Sequence, residues 1–543
     1  MKRLVLFAQL LLVAFSIQAQ SLSEGLKAID FEKYEHARNI FLALTEKEPA
    51  NGENYYLLGQ SYNNLYKPDS ALISYKKGLQ NAPNYPGLYA GVGELLLEDN
   101  KVMEAQAQFD KALALCRNKQ GDYVNAKGMI AVASAMITGE NKMLAQASAL
   151  MEEAYKVTKT DYDVLTTAGD VFLEMQDGSK AATFYNRATV LNPNNPKAFA
   201  KIALIWIRVR NLAVAKEALD TAFAKDPNYA TAFKNQAEYY SLLRKFDKAK
   251  ESYKNYLLNS EVSSANQLRY AQILYKSKEY AEALIYVQEA IKSDKSNNIY
   301  LNRLLAYSSY EAGNLKNDQE TFKKGLSALE TLLANIAPEK VSATDYEYLG
   351  KLQSKIPGKD SIGIVNINKA VTMDPNKIEL YQELAKIYFK QRKYTEAVTA
   401  YETYTGLAKK VTLLDNYTIG KYYYNAKMFV KADSAFAKVN EAKPDYADAY
   451  LQRANANAAI DTLLKTTIAK TLYEKYIELT LADTANFNKQ KVALSKSIAS
   501  AYDYLGFYFL QKDMKNECKA MYRKALEYDP NNKNAIEVLK QLK

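Results

Sequence analysis

Tyr55-Tyr56-Leu57-Leu58-Gly59-Gln60-Ser61-Tyr62, then Ala71-Leu72-Ile73-Ser74-Tyr75-Lys76-Lys77-Gly78, then Pro83: this stretch sets large and small side chains at helical spacing twice and ends on a breaker. The same order returns as Leu165, Ala168, Gly169, Phe172, Ala181, Tyr185, Ala188 and Pro193, and again as Phe199, Ile202, Ala203, Trp206, Ala215, Leu219, Ala222 and Pro227. Laid under one another by their prolines, these segments show a period near 34, as from Pro193 to Pro227. Such a period means stacked supersecondary units. Small side chains let two antiparallel helices approach, and large ones fill the space beside them. Proline then ends the second helix, because it lacks the backbone donor and restricts the residue before it.

Further copies carry Tyr381, Leu384, Ala385, Tyr388, Ala397, Tyr401 and Tyr404, and, near the end, Tyr502, Leu505, Gly506, Phe509, Tyr522, Ala525 and Pro530, with Cys518 where the others have Ala. Looser ones contain Gly25, Ala37, Phe41 and Pro49; Gly93, Ala105 and Phe109; Ala237, Ala249 and Tyr253; Ala271 and Ala283; and Gly420, Ala432, Phe436 and Pro444. The spacing drifts over 121–157, 298–333 and 454–479. These residues resemble the tetratricopeptide repeat family. The resemblance implies an all-α fold, an α-solenoid wound as a right-handed superhelix of about 13 to 14 helical hairpins. Ile536, Leu539 and Leu542 in the last stretch predict a C-terminal capping helix over 533–543.

Composition agrees with an array. A chain of 543 residues is too long for one core, and it has only 20 Gly and 12 Pro to interrupt helices. Its 44 Tyr against a single Trp fit a repeat that demands an aromatic at fixed places. Lys2 and Arg3, the apolar stretch Leu4 to Phe15 and the small-residue exit at Ala19 predict a signal peptide over 1–19. The rest divides into an N-terminal array, 20–335, and a C-terminal array, 336–543. The joint falls at Ala334–Ser342, ahead of the Ile356-Pro357-Gly358 interruption. Export implies a periplasmic or outer-membrane-associated protein with no membrane span after signal removal. Cys116 and Cys518 read as buried hydrophobes.

The side chains of most catalytic chemistries are scarce. His36 is the only histidine, which removes Ser-His and Cys-His pairs and His/Cys metal sites. It reads as an ordinary helical residue beside Ala37. No glycine-rich phosphate loop is present, and paired acids such as Glu152-Glu153 read as solvated helix faces. The expectation is a non-catalytic scaffold with no cofactor and no metal. Nucleic acid is not an expected partner. The formal charge of +11 is spread without a basic run, which leaves acidic surfaces open as partners.

The family resemblance further implies that first helices line the concave face, where a protein partner, a peptide segment or an envelope complex, would rest. It points to Tyr56, Gln60, Asn63 and Asn64 early in the chain. Later it points to Gln382, Lys386, Phe389 and Lys390, then Tyr417, Lys421, Tyr424 and Asn425. Lysines beside aromatics suit an acidic, aromatic-containing segment or an acidic glycan. The alternative is that the aromatics pack along the array while the lysines solvate it. The family's carboxylate-clamp pattern is absent, since Lys234 is followed by Glu238.

Six tripeptides join Asp to Ser or Thr and then Ala, Ile or Leu, at Ser70, Thr221, Ser361, Ser434, Thr462 and Thr484. Chance would supply about one or two. They resemble the acceptor motif of the general O-glycosylation system of Bacteroidetes; helix capping and the repeat's own demand for Ala explain one or two of them. Ser434 and Thr221 are expected on second helices, Thr462 and Thr484 in irregular connections. The intact mass of the chain from its native host is expected to exceed that of the processed polypeptide. Equality would remove the modification.

Overall fold

The computed structural model describes residues 21–293 and 298–542. The predicted signal peptide, 1–19, lies outside them. The described residues form thirty α-helices and no β-strand, with one isolated bridge between Arg117 and Tyr123. Consecutive helices pair into fourteen hairpins, a helical-repeat solenoid of the tetratricopeptide type.

Two compact units divide the chain at Ser308/Ser309. The first holds eight hairpins, from Leu22–Asp30 with Tyr34–Lys47 to Ser264–Lys276 with Tyr280–Ser293. Its largest apolar core runs unbroken from Ala90 to Tyr239. The second unit contains the five hairpins between Ala343–Gln353 and Lys515–Tyr528, with cores centred on Leu384 and Tyr401 and on Tyr476 and Tyr502. Helix Lys533–Gln541 follows and buries Ala535. Helices Ile299–Lys316 and Gln319–Asn335 make the remaining hairpin.

Backbone geometry carries the period as clearly as the side chains do. Glu32, Tyr66 and Asn100 lie 34 residues apart with φ of 53°, 58° and 62°, and Gln176, Arg210, Arg244 and Lys278 form a second series at the same spacing. Each is the left-handed residue that turns a first helix into its second. The prolines act through the residue before them: Ala82, Asn192, Asp226 and Asp529 all close their helices at φ between −145° and −132°, the extended region that a following proline imposes.

Inside each hairpin a small residue meets a large one sixteen positions on. A Cβ on Gly59 would lie 2.1 Å from the Tyr75 ring, on Gly169 2.3 Å from Tyr185, on Gly93 2.5 Å from Phe109, on Gly25 2.5 Å from Phe41, and on Gly506 2.7 Å from Tyr522. The hairpin Ala343–Gln353 with Asp360–Met373 departs from this. There a Cβ on Gly350 would stand 2.6 Å from the Gly363 carbonyl oxygen, so backbone meets backbone and no aromatic fits.

Where the spacing drifts, helix lengths change. The first-helix place in 121–157 is filled by the short Ala126–Met136, after the turn that carries the Arg117 to Tyr123 bridge. Over 298–333 the helices lengthen to 18 and 17 residues. After Ile468–Ala482 the chain adds the six-residue helix Thr484–Lys489, so Thr484 opens a helix, capped by Asp483, instead of lying in an irregular connection. Residues 338–340 form a 3-10 turn, and helix stops at Gln353 before Pro357 and Gly358. Both cysteines are buried and free.

Two chemically identical substitutions should therefore act in opposite directions. Gly169→Ala is expected to cost about 1–3 kcal/mol by overpacking against Tyr185. Gly406, helical and with nothing within 4 Å of its Cβ position, should gain about 0.4–1 kcal/mol as Ala. Denaturant unfolding of the two variants checks this.

Candidate binding surface

In the second unit the first helices Leu380–Lys390 and Leu413–Asn425 meet through Phe389, whose ring lies tilted at 5.0 Å from that of Tyr422. Phe389 also meets Tyr394 at 5.3 Å and is half-buried. Lys386 and Lys390 are exposed on the same helix. Lys386 pairs with Glu383 at 2.7 Å and Lys390 with Asp360 at 3.1 Å. The third member of this basic cluster, Lys355, was not legible from repeat register because it follows the end of its helix. Its ammonium sits 2.7 Å from Asn314 Oδ1. Burial lowers its pKa, Glu383 opposes that, and Lys386 and Lys390 push it further down; Lys390 also reaches the Ser354 carbonyl at 3.4 Å, next to Lys355.

On the neighbouring helix, the predicted aromatics are engaged from within. Tyr417 donates its hydroxyl to Asp448 and packs against Phe436 and Tyr446 at 5.5 and 5.8 Å. Tyr424 meets Phe429 at 5.4 Å. Lys421 stands exposed with its ammonium 5.9 Å from the Tyr417 ring centre. Asn425 donates to the Lys421 carbonyl of its own helix at 2.8 Å.

Gln382 belongs to a structural network. Buried Asp415 accepts from the Thr412 backbone N–H at 2.8 Å and hydroxyl at 2.6 Å, from the Tyr401 hydroxyl at 2.9 Å and from Gln382 at 3.3 Å. Burial alone would raise that carboxyl, but these donors hold it below the usual carboxylate range.

The early candidates in the first unit are likewise tied up. Gln60 donates to Glu94 at 2.6 Å and to the Tyr75 hydroxyl at 3.1 Å. Asn63 reaches Glu98 at 3.4 Å, and exposed Asn64 donates to its own helix at 2.8 Å. Tyr56 lies between Tyr75 and Tyr85 at 6.4 and 6.2 Å. The network centres on Glu94, whose carboxyl is pushed up to about 7 by burial, against the hydrogen bond from Gln60 and with a further push from Glu98. His36 is half-exposed, 3.8 Å from Glu24. Among the described residues no group of three or more His, Cys, Asp or Glu is placed to hold a metal ion, and no helix is long and apolar enough to cross a membrane.

Four segments match family models described as tetratricopeptide repeat: residues 22–86 and 235–298 match one, and residues 378–411 and 499–532 another. A TPR repeat-containing protein of Methanocaldococcus jannaschii, MJ1428, is 26% identical over 191 residues, 35% of this chain; the match spans 28% of that relative's length. The solved C-terminal part of a TPR repeat-containing protein from Cytophaga hutchinsonii is 30% identical, covering 50% of this chain and 99% of that one, with a TM-score of 0.42. A tetratricopeptide repeat protein from Parabacteroides merdae is 12% identical over 50% of this chain and 99% of that one, with a TM-score of 0.34.

Glu94 makes stability depend on pH. With its carboxyl raised from an ordinary 4.5 to about 7, the folded chain keeps a proton that the unfolded chain has already released in that window. Stability falls as pH rises through it, by about 3 kcal/mol in all. Glu94→Gln, which imitates the protonated acid, should match the wild type in Tm at pH 4.5 and exceed it at pH 8, measured by thermal unfolding at both.

Proposed function

We propose that this tetratricopeptide-repeat protein is a non-catalytic scaffold of the periplasm or outer membrane that holds a protein partner on the lysine-rich face of its second unit. Tetratricopeptide repeats support a protein-interaction scaffold. The finer reading rests on one observation: Lys386 and Lys390 stand exposed one turn apart, and Lys390 reaches the Ser354 carbonyl at 3.4 Å, next to Lys355, while the rings nearby are already packed. Rings engaged in packing are poor platforms for stacking on sugar. An acidic protein segment is therefore favoured over a glycan. Export is supported by the pattern of residues 1–19, and an enzymatic role has no catalytic constellation behind it.

The motif residues Ser361, Ser434, Thr462 and Thr484 are exposed, while Ser70 and Thr221 are half-buried. Glycosylation of the first four would keep sugars off the hairpin contacts.

Crosslinking in the native envelope followed by mass spectrometry should recover a protein attached near residues 355–425. With that partner, changing Lys386 and Lys390 to Glu and half-buried Lys355 to Gln is expected to weaken binding at least tenfold while leaving Tm within a few degrees, since exposed ion pairs contribute only about 0.2–1 kcal/mol each. Wild-type binding should also weaken with salt. Crosslinks confined elsewhere, or unaltered binding by the triple variant, would overturn the reading.

A further inference from the structure

The turn of the first hairpin, Asp30-Phe31-Glu32, is seated on residues far along the same unit. Asp30 Oδ1 accepts from the Lys197 ammonium at 2.9 Å, across 167 residues of sequence. Lys234 donates to both Glu32 carboxylate oxygens at 2.9 and 3.1 Å, across 202 residues. Tyr256 donates its hydroxyl to Glu32 as well, and the Glu261 backbone N–H reaches the Glu32 carbonyl at 3.2 Å. Between the two acids, Phe31 meets Tyr229 edge-on at 5.5 Å. Glu261 accepts from the His36 backbone N–H at 2.8 Å and from that of Glu35, closing the start of the next helix.

The receiving side is a built arrangement. Lys197 and Lys234 stand on successive first helices at the second and fifth places of their repeats, a face on which these arrays present side chains to a ligand. Tyr229 and Tyr256 are buried, at 3% and 0% exposure, and hold their edge and hydroxyl in place. The seated turn is an acid, an aromatic and a second acid, met by an ammonium, an aromatic edge, and an ammonium with a phenol. Both carboxylates of the turn find an ammonium.

The first hairpin has an attachment of its own besides this contact. The first hairpin's own core, Ala37, Ile40, Phe41 and Leu44, packs with Leu57 and Leu58 of the second hairpin. The seat combines part-exposed ion pairs, which salt screens, with Phe31 packed against the unit's apolar cores. Releasing the turn would leave the hairpin attached and the seat vacant.

We propose that the face carrying Lys197, Lys234, Tyr229 and Tyr256 is a binding site for an acidic-aromatic-acidic turn of a partner protein, and that Asp30-Phe31-Glu32 fills it in cis until displaced. This site lies in the first unit and stands independently of the surface assigned to the second.

Two measurements on the full chain test it. The variant Asp30→Asn, Phe31→Ala, Glu32→Gln empties the seat. It should bind a fluorescent synthetic peptide of residues 28–36 at least tenfold more tightly than the wild type does, with Lys234→Glu in the same chain abolishing the gain. Separately, Lys197→Gln with Lys234→Gln leaves the turn intact and should speed hydrogen exchange over residues 28–36 at least tenfold, with exchange across Leu57 to Tyr75 unchanged. Equal or absent peptide binding by emptied and wild-type chains overturns the ligand class. Unchanged exchange in the lysine variant overturns the cis contact. Concentration-dependent dimerisation of the wild type that the emptied variant loses would assign the seat to a second copy and overturn the partner.

Discussion

The structure depends on one contact repeated along the chain: a residue without a bulky side chain on the first helix of a hairpin, pressed against a ring on the second. At Gly59 and Tyr75 the fit leaves no room even for a methyl group. Tyr75 is closed from the other side as well, since a Cβ on Gly91 of the next hairpin would stand 2.4 Å from it. One ring thus fixes both the spacing within its hairpin and the approach of the next. Burying such a ring removes about 150–250 Å² from water, and the absence of a Cβ opposite lets that burial occur without a gap.

A phenol buried in this way brings a hydroxyl that must be satisfied, and the polar networks follow from that demand. Tyr75 uses Gln60, Tyr401 uses Asp415, Tyr185 uses Asp170 at 2.5 Å, and Tyr256 uses Glu32. Several positions that register places on the ligand face are therefore engaged in holding neighbouring helices. Gln60 and Gln382 are of this kind. Lys386, Lys390 and Lys421 differ because they remain exposed: the first two carry ion pairs to Glu383 and Asp360, and Lys421 lies beside the Tyr417 ring while its head reaches solvent.

The two candidate faces express one chemistry in two circumstances. In the second unit a lysine cluster lies over packed rings. In the first, lysines and tyrosines at other places of the repeat hold an acidic and aromatic turn of the chain itself. That Asp-Phe-Glu sits at the left-handed corner of a hairpin, with Glu32 at φ 53°, presents its two acids on either side of the ring. A corner every repeat must make has become a ligand.

Sequence by itself determined the hairpins, their period and their limits, because the rules involved are local: a ring sixteen residues from a glycine, a proline ending a helix, a corner every 34 residues. Gly25, Gly93, Gly169 and Gly506 could be placed against Phe41, Phe109, Tyr185 and Tyr522 by counting alone. Counting also put Lys386, Lys390 and Lys421 on an exposed face correctly, since exposure follows helical phase. What counting could not supply was whether a side chain at such a phase is free or spent. That was decided by tertiary structure, because Gln60 and Glu94 come from successive repeats, Lys355 enters its cluster from beyond a helix end, and Asp30 meets Lys197 only when the unit has curved through several repeats. The small rotation from each hairpin to the next is set by many packing contacts at once and leaves no motif of its own, so the partners it brings together across hundreds of residues appear only in the folded chain.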